Sequence, residues 1–370
     1  MKIISIVGAR PQFVKLGPLS RSLRKTHKEV IVHTGQHYDL EMSDNFFKEL
    51  SLPEPDYNLG IGSGSHGKQT GRMMEKIEEV LLFEKPDLTV VYGDTNSTLA
   101  GAIASAKLGI PVAHIEAGLR SFKRSMPEEI NRLLVDHVSD YLFCPTRTAV
   151  NNLKREGITV GVHLVGDVMY DSLKNSLTTA QKKSKILGQL NLERKKYFLA
   201  TIHRAENTDN KRNLEKLVNI FGSLGKRIVF PVHPRTRKSL SDSGLWDKLS
   251  SKGNMILTGP ASYLDMLILE KNATCILTDS GGVQKEAMFL ETFCLTLRDE
   301  TEWIETVESG WNRVVGLDKK RIHQALSELT ERKPITVKSQ PLYKIGVSKR
   351  ICQIISGRFP RSSCFRRCRF

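Results

Sequence analysis

Three groups of residues in this chain have types and spacings suited to chemistry. The first is the string Thr278-Asp-Ser-Gly-Gly-Val-Gln-Lys-Glu-Ala287, which follows an apolar, β-branched run and precedes a helical pattern. A strand, a glycine turn and a helix start in that order present unpaired backbone N–H groups and the positive end of a helix dipole, where a phosphate or diphosphate would sit. Ser280, Gly281 and Gly282 would supply the donors, and Glu286, one turn further on, is placed for neighbouring hydroxyls such as a ribose diol. An ordinary βα turn with a serine cap is the plain alternative. The second group is a set of carboxylates. Asp94, in Tyr-Gly-Asp-Thr-Asn-Ser, and Glu116, in His-Ile-Glu-Ala-Gly-Leu-Arg, each come just after a strand pattern. Thr95 or Ser97 can cap the following helix, so Asp94 need not. Glu128 and Glu129 lie in the first turn of a helix opened by Pro127, where the macrodipole alone would favour acids. The third group is cations and imidazoles. Arg10 lies in the first βα turn with Lys15 about one turn into the next helix, a pair suited to a diphosphate or simply two surface cations. His203, Arg204 and Glu206 follow the first strand of the second half, and His233 follows Pro231-Val232. They are either satisfied loop residues or contacts to a phosphate, a base or a transferred proton.

The elements that must position these residues alternate along the whole chain, which predicts an α/β architecture with parallel sheets. Strands are expected over 3–7, 30–33, 88–92, 112–115 and 141–144, and helices over 14–24, 68–83, 97–108 and from Pro127 to about 139. In the second half, strands are expected over 197–201, 228–232, 255–257 and 274–277 and helices over 213–221 and 263–270, with 293–297, 303–308 and 321–329 completing the pattern. A lysine-rich stretch, 179–196, reads as a linker. The expected organisation is a Rossmann-like domain over 1–178, that linker, a second Rossmann-like domain over 197–335, and a C-terminal helix with a basic tail over 336–370. Two doubly wound domains facing a central cleft follow, because ligands of such sheets bind outside the carboxyl ends of the strands. Gly62-Ser-Gly-Ser-His-Gly67 matches the dinucleotide fingerprint letter for letter, but Pro53, Pro55, Asp56 and Asn58 precede it in place of a buried strand. It reads as a mobile lid rather than an NAD site. No His-Glu-x-x-His pattern or carboxylate cage points to a metal, and no cofactor is expected.

Composition narrows the partners. The 370 residues suit two domains of ordinary size. The net charge of +16 would suit nucleic acid, yet nine Lys or Arg and no acid lie in 338–370, leaving +7 for the body. That body carries no helix-turn-helix, finger or RNA-binding signature, so no nucleic-acid partner is expected. No apolar run reaches 18 residues, and the opening MKIISIVGARPQ reads as a strand entering a turn, which predicts a cytoplasmic protein with no membrane association. The six cysteines are scattered without zinc-type spacing and are expected as buried thiols.

Taken together, Gly8-Ala-Arg-Pro-Gln-Phe-Val-Lys15, Gly93-Asp94-Thr-Asn-Ser97, His114-Ile-Glu116-Ala-Gly-Leu-Arg120, Pro127-Glu128-Glu-Ile-Asn-Arg132, His203-Arg-Ala-Glu-Asn207 and Asp279-Ser-Gly-Gly-Val-Gln-Lys-Glu286 resemble the non-hydrolysing UDP-N-acetylglucosamine 2-epimerases. The resemblance runs from residue 1 to about 335. It implies a GT-B fold, two Rossmann-like domains that close on a UDP-sugar, usually in a homodimer and without NAD or metal. By position, Arg10, His203, Ser280, Gly281, Gly282 and Glu286 would hold the UDP portion. Lys15, Asp94, Glu116, Glu128 and His203 would surround the sugar. The family eliminates UDP across C1–C2 to a 2-acetamidoglucal and adds it back, which needs a base at C2, an acid from the other side, and cations and N–H donors for the diphosphate. Some residues depart from the pattern. Lys285 stands where many relatives have an acid and is expected on a helix surface; Asp39 differs in the loop tied to substrate activation; and 357–370 resembles none of the family's ending. Arg298-Asp-Glu-Thr-Glu-Trp303 and Glu308-Ser-Gly-Trp-Asn312 lean toward archaeal members and toward the branch acting on 2,3-diacetamido-glucuronic acid nucleotides. A hydrolysing 2-epimerase, a GT-B glycosyltransferase and a nucleotide-sugar binding protein are the competing readings.

Overall fold

The computed structural model describes residues 1–36, 52–331 and 346–357. The chain forms two compact units, Met1–Ser172 with Pro341–Phe370, and Leu173–Gln340. The first holds strands β1 (Lys2–Val7), β2 (Lys28–His33), β3 (Tyr57–Asn58), β4 (Leu88–Tyr92), β5 (Val112–Ile115), β6 (Tyr141–Cys144) and β7 (Val162–Leu164). They pair in parallel in the order β3-β2-β1-β4-β5-β6-β7. The second holds β8 (Tyr197–Thr201), β9 (Arg227–Pro231), β10 (Met255–Thr258), β11 (Cys275–Thr278), β12 (Phe293–Thr296) and β13 (Asn312–Val314), in the order β10-β9-β8-β11-β12-β13.

Both sheets are doubly wound. Their central strands are apolar on both faces, as strands covered by helices on each side must be: all five residues of β4 and of β8 are buried. In each unit the winding reverses between the first strand and the fourth, between β1 and β4 and again between β8 and β11. Loops diverge there at the carboxyl ends of the strands, leaving the place where such sheets hold ligands. Most of the candidate residues fall in these loops or just beside them.

The helices follow their sequence signals. His66–Glu84 buries Gln69, Met73, Ile77, Val80 and Leu81, a single stripe at helical spacing, and ends at Lys85 in the left-handed conformation. The fingerprint loop ahead of it does follow a strand, but β3 is two half-exposed edge residues rather than a buried strand. The stretch 179–196 holds the end of helix Val168–Lys183 and the short helix Ile186–Gln189. Helix Val347–Ile355 packs on helix Arg10–Leu23 of the first unit. Asp171 fixes its start, accepting from Gly346 N, Ser348 N and Ser348 Oγ, each at 2.8 Å. Among the described residues no helix is long and apolar enough to cross a membrane. Cys144, Cys275, Cys294 and Cys352 are free and buried. Residues 37–39, the expected basic tail over 358–370, and Cys364 and Cys368 lie outside the described residues.

Candidate active site

In the first unit the carboxylates gather at the ends of β4 and β5. The Lys15 ammonium, nearly buried in helix Arg10–Leu23, pairs with Glu116 Oε2. Gly93 lies against that pair: at φ +64° a Cβ there would stand 3.1 Å from Lys15 Nζ and 3.5 Å from Glu116 Oε2. Glu116 itself has φ +78°, a left-handed backbone that costs a non-glycine residue about 1–2 kcal/mol. Its N–H donates to Phe143 O at 3.1 Å, and so does that of Ala117, which fixes the turn. Backbone strain of this kind concentrates where a side chain must be aimed.

Asp94 is held from the Pro127–Val138 helix. Its carboxylate accepts from Arg132 Nη1 at 2.5 Å, and its carbonyl accepts from Asn131 Nδ2 at 2.9 Å. Thr95 supplies the cap of helix Asn96–Lys107, which leaves the Asp94 carboxylate to this ion pair. The two neighbouring acids of the Pro127 helix divide. Glu129 is buried and accepts from Ser121 N, Phe122 N and the Arg132 guanidinium. Burial would raise its pKa, but these donors outweigh burial and hold the carboxyl below its usual range. Glu128 is half-buried and makes no side-chain hydrogen bond or ion pair among the described residues. Arg132 and Asn131 escaped the sequence reading as site residues; the signal was their spacing, since i+3 and i+4 from Glu128 share its helix face.

In the first βα turn the N–H groups of Gly8 and Ala9 both donate to Gln12 Oε1, at 2.7 and 3.0 Å. Gln12 Nε2 in turn reaches Tyr92 O at 2.8 Å, so this glutamine fastens β1 to β4. Arg10 opens the helix; its side chain lies outside the described part.

In the second unit the organiser is Asp279. It is fully buried and accepts from His203 N and Arg204 N at 3.1 Å and from Asn207 Nδ2 at 3.0 Å. It thereby ties the loop after β8 to the loop after β11, and so joins the two strings that carry His203 and Ser280. The His203 and His233 rings lie 6.0 Å apart, and His233 Nδ1 accepts from Arg235 N to cap helix Pro234–Asp242. Ser280 stands at the N-cap of helix Gly281–Phe289 but makes no side-chain capping bond, so its hydroxyl is not used up on the helix. Gly281 is needed for a reason not visible in the sequence. A Cβ there would stand 2.5 Å from Glu302 Oε1 and 3.2 Å from Trp303 Nε1. Glu302 is bracketed by Arg298 Nη1 at 3.0 Å and Arg204 Nη2 at 3.9 Å. Glu286 is buried one turn below. Lys285 does not lie on the helix surface as expected: it is buried with Nζ 3.8 Å from the Trp303 ring centroid, a cation held on an aromatic face.

The chain matches the sequence profile of the family described as UDP-N-acetylglucosamine 2-epimerase over residues 21–356. It is 60% identical over 329 residues to the UDP-N-acetylglucosamine 2-epimerase homolog of Methanococcus maripaludis, covering 89% of this chain and 92% of that protein. It is 49% identical over 324 residues to the UDP-2,3-diacetamido-2,3-dideoxy-D-glucuronate 2-epimerase of Pseudomonas aeruginosa, covering 85% and 88%. Among solved structures it is similar to the Methanocaldococcus jannaschii UDP-GlcNAc 2-epimerase in complex with UDP-GlcNAc and UDP, with a TM-score of 0.88, 48% identity and coverage of 96% and 99%. The two doubly wound units are thus of the GT-B type found in these enzymes. The chain belongs to the UDP-N-acetylglucosamine 2-epimerase family and is a nucleotide-sugar epimerase.

Proposed function

We propose that the protein interconverts UDP-N-acetylglucosamine and UDP-N-acetylmannosamine by eliminating UDP and adding it back. The observation that carries this reading is the carboxylate cluster: Glu116 in a strained turn against buried Lys15, Asp94 against Arg132, and Glu128 with its oxygens unspent. The C2 proton of the sugar is not next to a carbonyl, so direct removal to a carbanion would be very costly. Removing it as the C1–O bond to UDP breaks gives a C1–C2 double bond, and the electrons leave with the diphosphate. Return of UDP to C1 with a proton delivered to the other face of C2 inverts that centre. Asp94, Glu116 and Glu128 are the groups for the two proton transfers, and the Lys15 ammonium steadies the charge that develops beside Glu116. Arg10, His203, Arg204, His233 and the Ser280-Gly281-Gly282 turn take the UDP portion, and Glu286 takes the ribose hydroxyls.

A second substrate has support of its own, the 49% identity to the Pseudomonas enzyme, whose name gives a 2,3-diacetamido-glucuronate nucleotide. The chemistry at C2 is the same. Incubation with each UDP-sugar, followed by NMR, tests both. The expected product is the C2 epimer still joined to UDP; free mannose-configured sugar with UDP would mark a hydrolysing enzyme, and an unchanged spectrum with both sugars would refute the reading.

A further inference from the structure

Beneath the carboxylate cluster lies a group of ionisable side chains that the proposed chemistry does not use. Asp136, His114 and Arg120 are essentially fully buried. Asp136 Oδ1 takes His114 Nδ1 at 2.7 Å, and Oδ2 takes Gly118 N at 3.0 Å and Arg120 Nη1 at 2.7 Å. His114 Nε2 donates onward to Gly93 O at 2.7 Å. Arg120 forks onto Glu156 with two bonds of 2.7 Å. Buried charged networks give little net stability over apolar packing of the same volume, so stability alone is a poor reason for this one.

The connections themselves supply a reason. Gly93 immediately precedes Asp94 and underlies the Lys15–Glu116 pair; Gly118 closes the turn that starts at Glu116; and Asp136 is two turns along the helix whose first turn carries Glu128. One carboxylate therefore reaches all three elements that carry the proposed proton-transfer groups. We infer that Asp136, acting through His114, Gly118 and Arg120, is a positioning residue that sets the mutual register of Asp94, Glu116 and Glu128. It touches no substrate. The inference rests on the proposed roles of those three carboxylates.

Asp136→Asn tests it, because the amide keeps the shape but turns one of the two acceptors into a donor facing His114 or Gly118. The matched control is Glu29→Gln. Glu29 is an equally buried carboxylate of the same unit, accepting from Ser5 Oγ, Ser20 Oγ and Arg24 Nε, with no bond to the carboxylate loops. Assayed well below both melting temperatures, Asp136→Asn is expected to lose about 10- to 100-fold in kcat with KM and UDP affinity near wild type, whereas Glu29→Gln keeps wild-type kcat. If Asp136→Asn does not fold, His114→Gln, which releases the Gly93 arm alone, is expected to lose at least about fivefold in kcat with the same split. Equal kcat in Asp136→Asn, or in His114→Gln where that variant replaces it, and in Glu29→Gln overturns the positioning role, provided Asp94→Asn, Glu116→Gln and Glu128→Gln are crippled. If those three turn over at the wild-type rate, the underlying reading of the carboxylates fails instead.

Discussion

Replacing Gly93 by Ala should harm catalysis out of proportion to stability, and the structure gives both magnitudes. The backbone at φ +64° costs an alanine about 1–2 kcal/mol, which for a unit of this size lowers the melting temperature by roughly 2–8 °C. The new methyl would also stand 3.1 Å from Lys15 Nζ, closer than a carbon and an ammonium normally pack, so the amine must retreat by a few tenths of an ångström. Lys15 is buried and paired with Glu116, so the retreat is passed to that carboxylate. A misplacement of 1 Å at a reacting group costs about 100-fold, and a few tenths should cost up to about tenfold in kcat. Gly109 provides the control. Its φ is +70° and nothing lies within 4 Å of a Cβ, so Gly109→Ala bears the same backbone cost and leaves the pair alone. Epimerisation followed by coupled assay or NMR, with melting curves for both variants, separates the effects. Wild-type kcat in Gly93→Ala, or an equal kcat loss in Gly109→Ala, would show that crowding of the Lys15–Glu116 pair does not limit turnover.

Asp94→Asn, Glu116→Gln and Glu128→Gln should each lower kcat by roughly 10²–10⁴ while calorimetry still finds UDP bound, because the UDP-binding residues proposed here lie mostly in the second unit. Acid should destabilise the protein through Glu129 and Asp136, whose carboxyls are both held below their usual range, Asp136 by His114 and Arg120 against the upward push of burial. A lowered folded pKa gives stability that is present above the unfolded value of about 4 and is lost as pH falls through the folded value. Melting temperatures from pH 6 to pH 3 should therefore drop steeply at the acid end, and less steeply in Glu129→Gln; identical slopes would remove Glu129 from this role. Burial pushes the thiols of Cys144, Cys275 and Cys294 up, out of the reactive range. Peptide mapping after native alkylation at pH 8.5 should find these three unmodified, and rapid labelling of any of them would contradict the packing.

Much of this architecture is legible in the residues. The apolar runs of β1, β4, β5, β8 and β11 are fully buried strands, and such runs announce themselves because covered parallel strands carry few polar residues. Asp94 and Glu116 each stand just beyond the carboxyl end of a central strand, a position sequence order alone predicts for a doubly wound sheet, and Lys15 reaches Glu116 from the helix that follows β1. What escaped notice depends on contacts remote in sequence. Helix Val168–Lys183 was hidden by lysines on its exposed side, although Leu173 and Ala180 are buried. Gln12 filling the first turn, Glu302 crowding Gly281, and Lys285 laid on Trp303 each need a partner that tertiary packing alone brings near. Asp279 stood within a motif singled out for its glycines, yet its work is to join two loops more than 70 residues apart.

The central claim is that UDP leaves C1 and returns while the C2 proton passes through side chains. Incubation of UDP-N-acetylglucosamine with the protein in D₂O until the epimers reach equilibrium, followed by proton NMR of both, tests it most directly. Deuterium is expected at C2 of both epimers, with UDP and 2-acetamidoglucal leaking from a His203→Ala variant that grips the diphosphate less well. Protium retained at C2 of the mannose-configured product, with no glycal released by that variant, would contradict it.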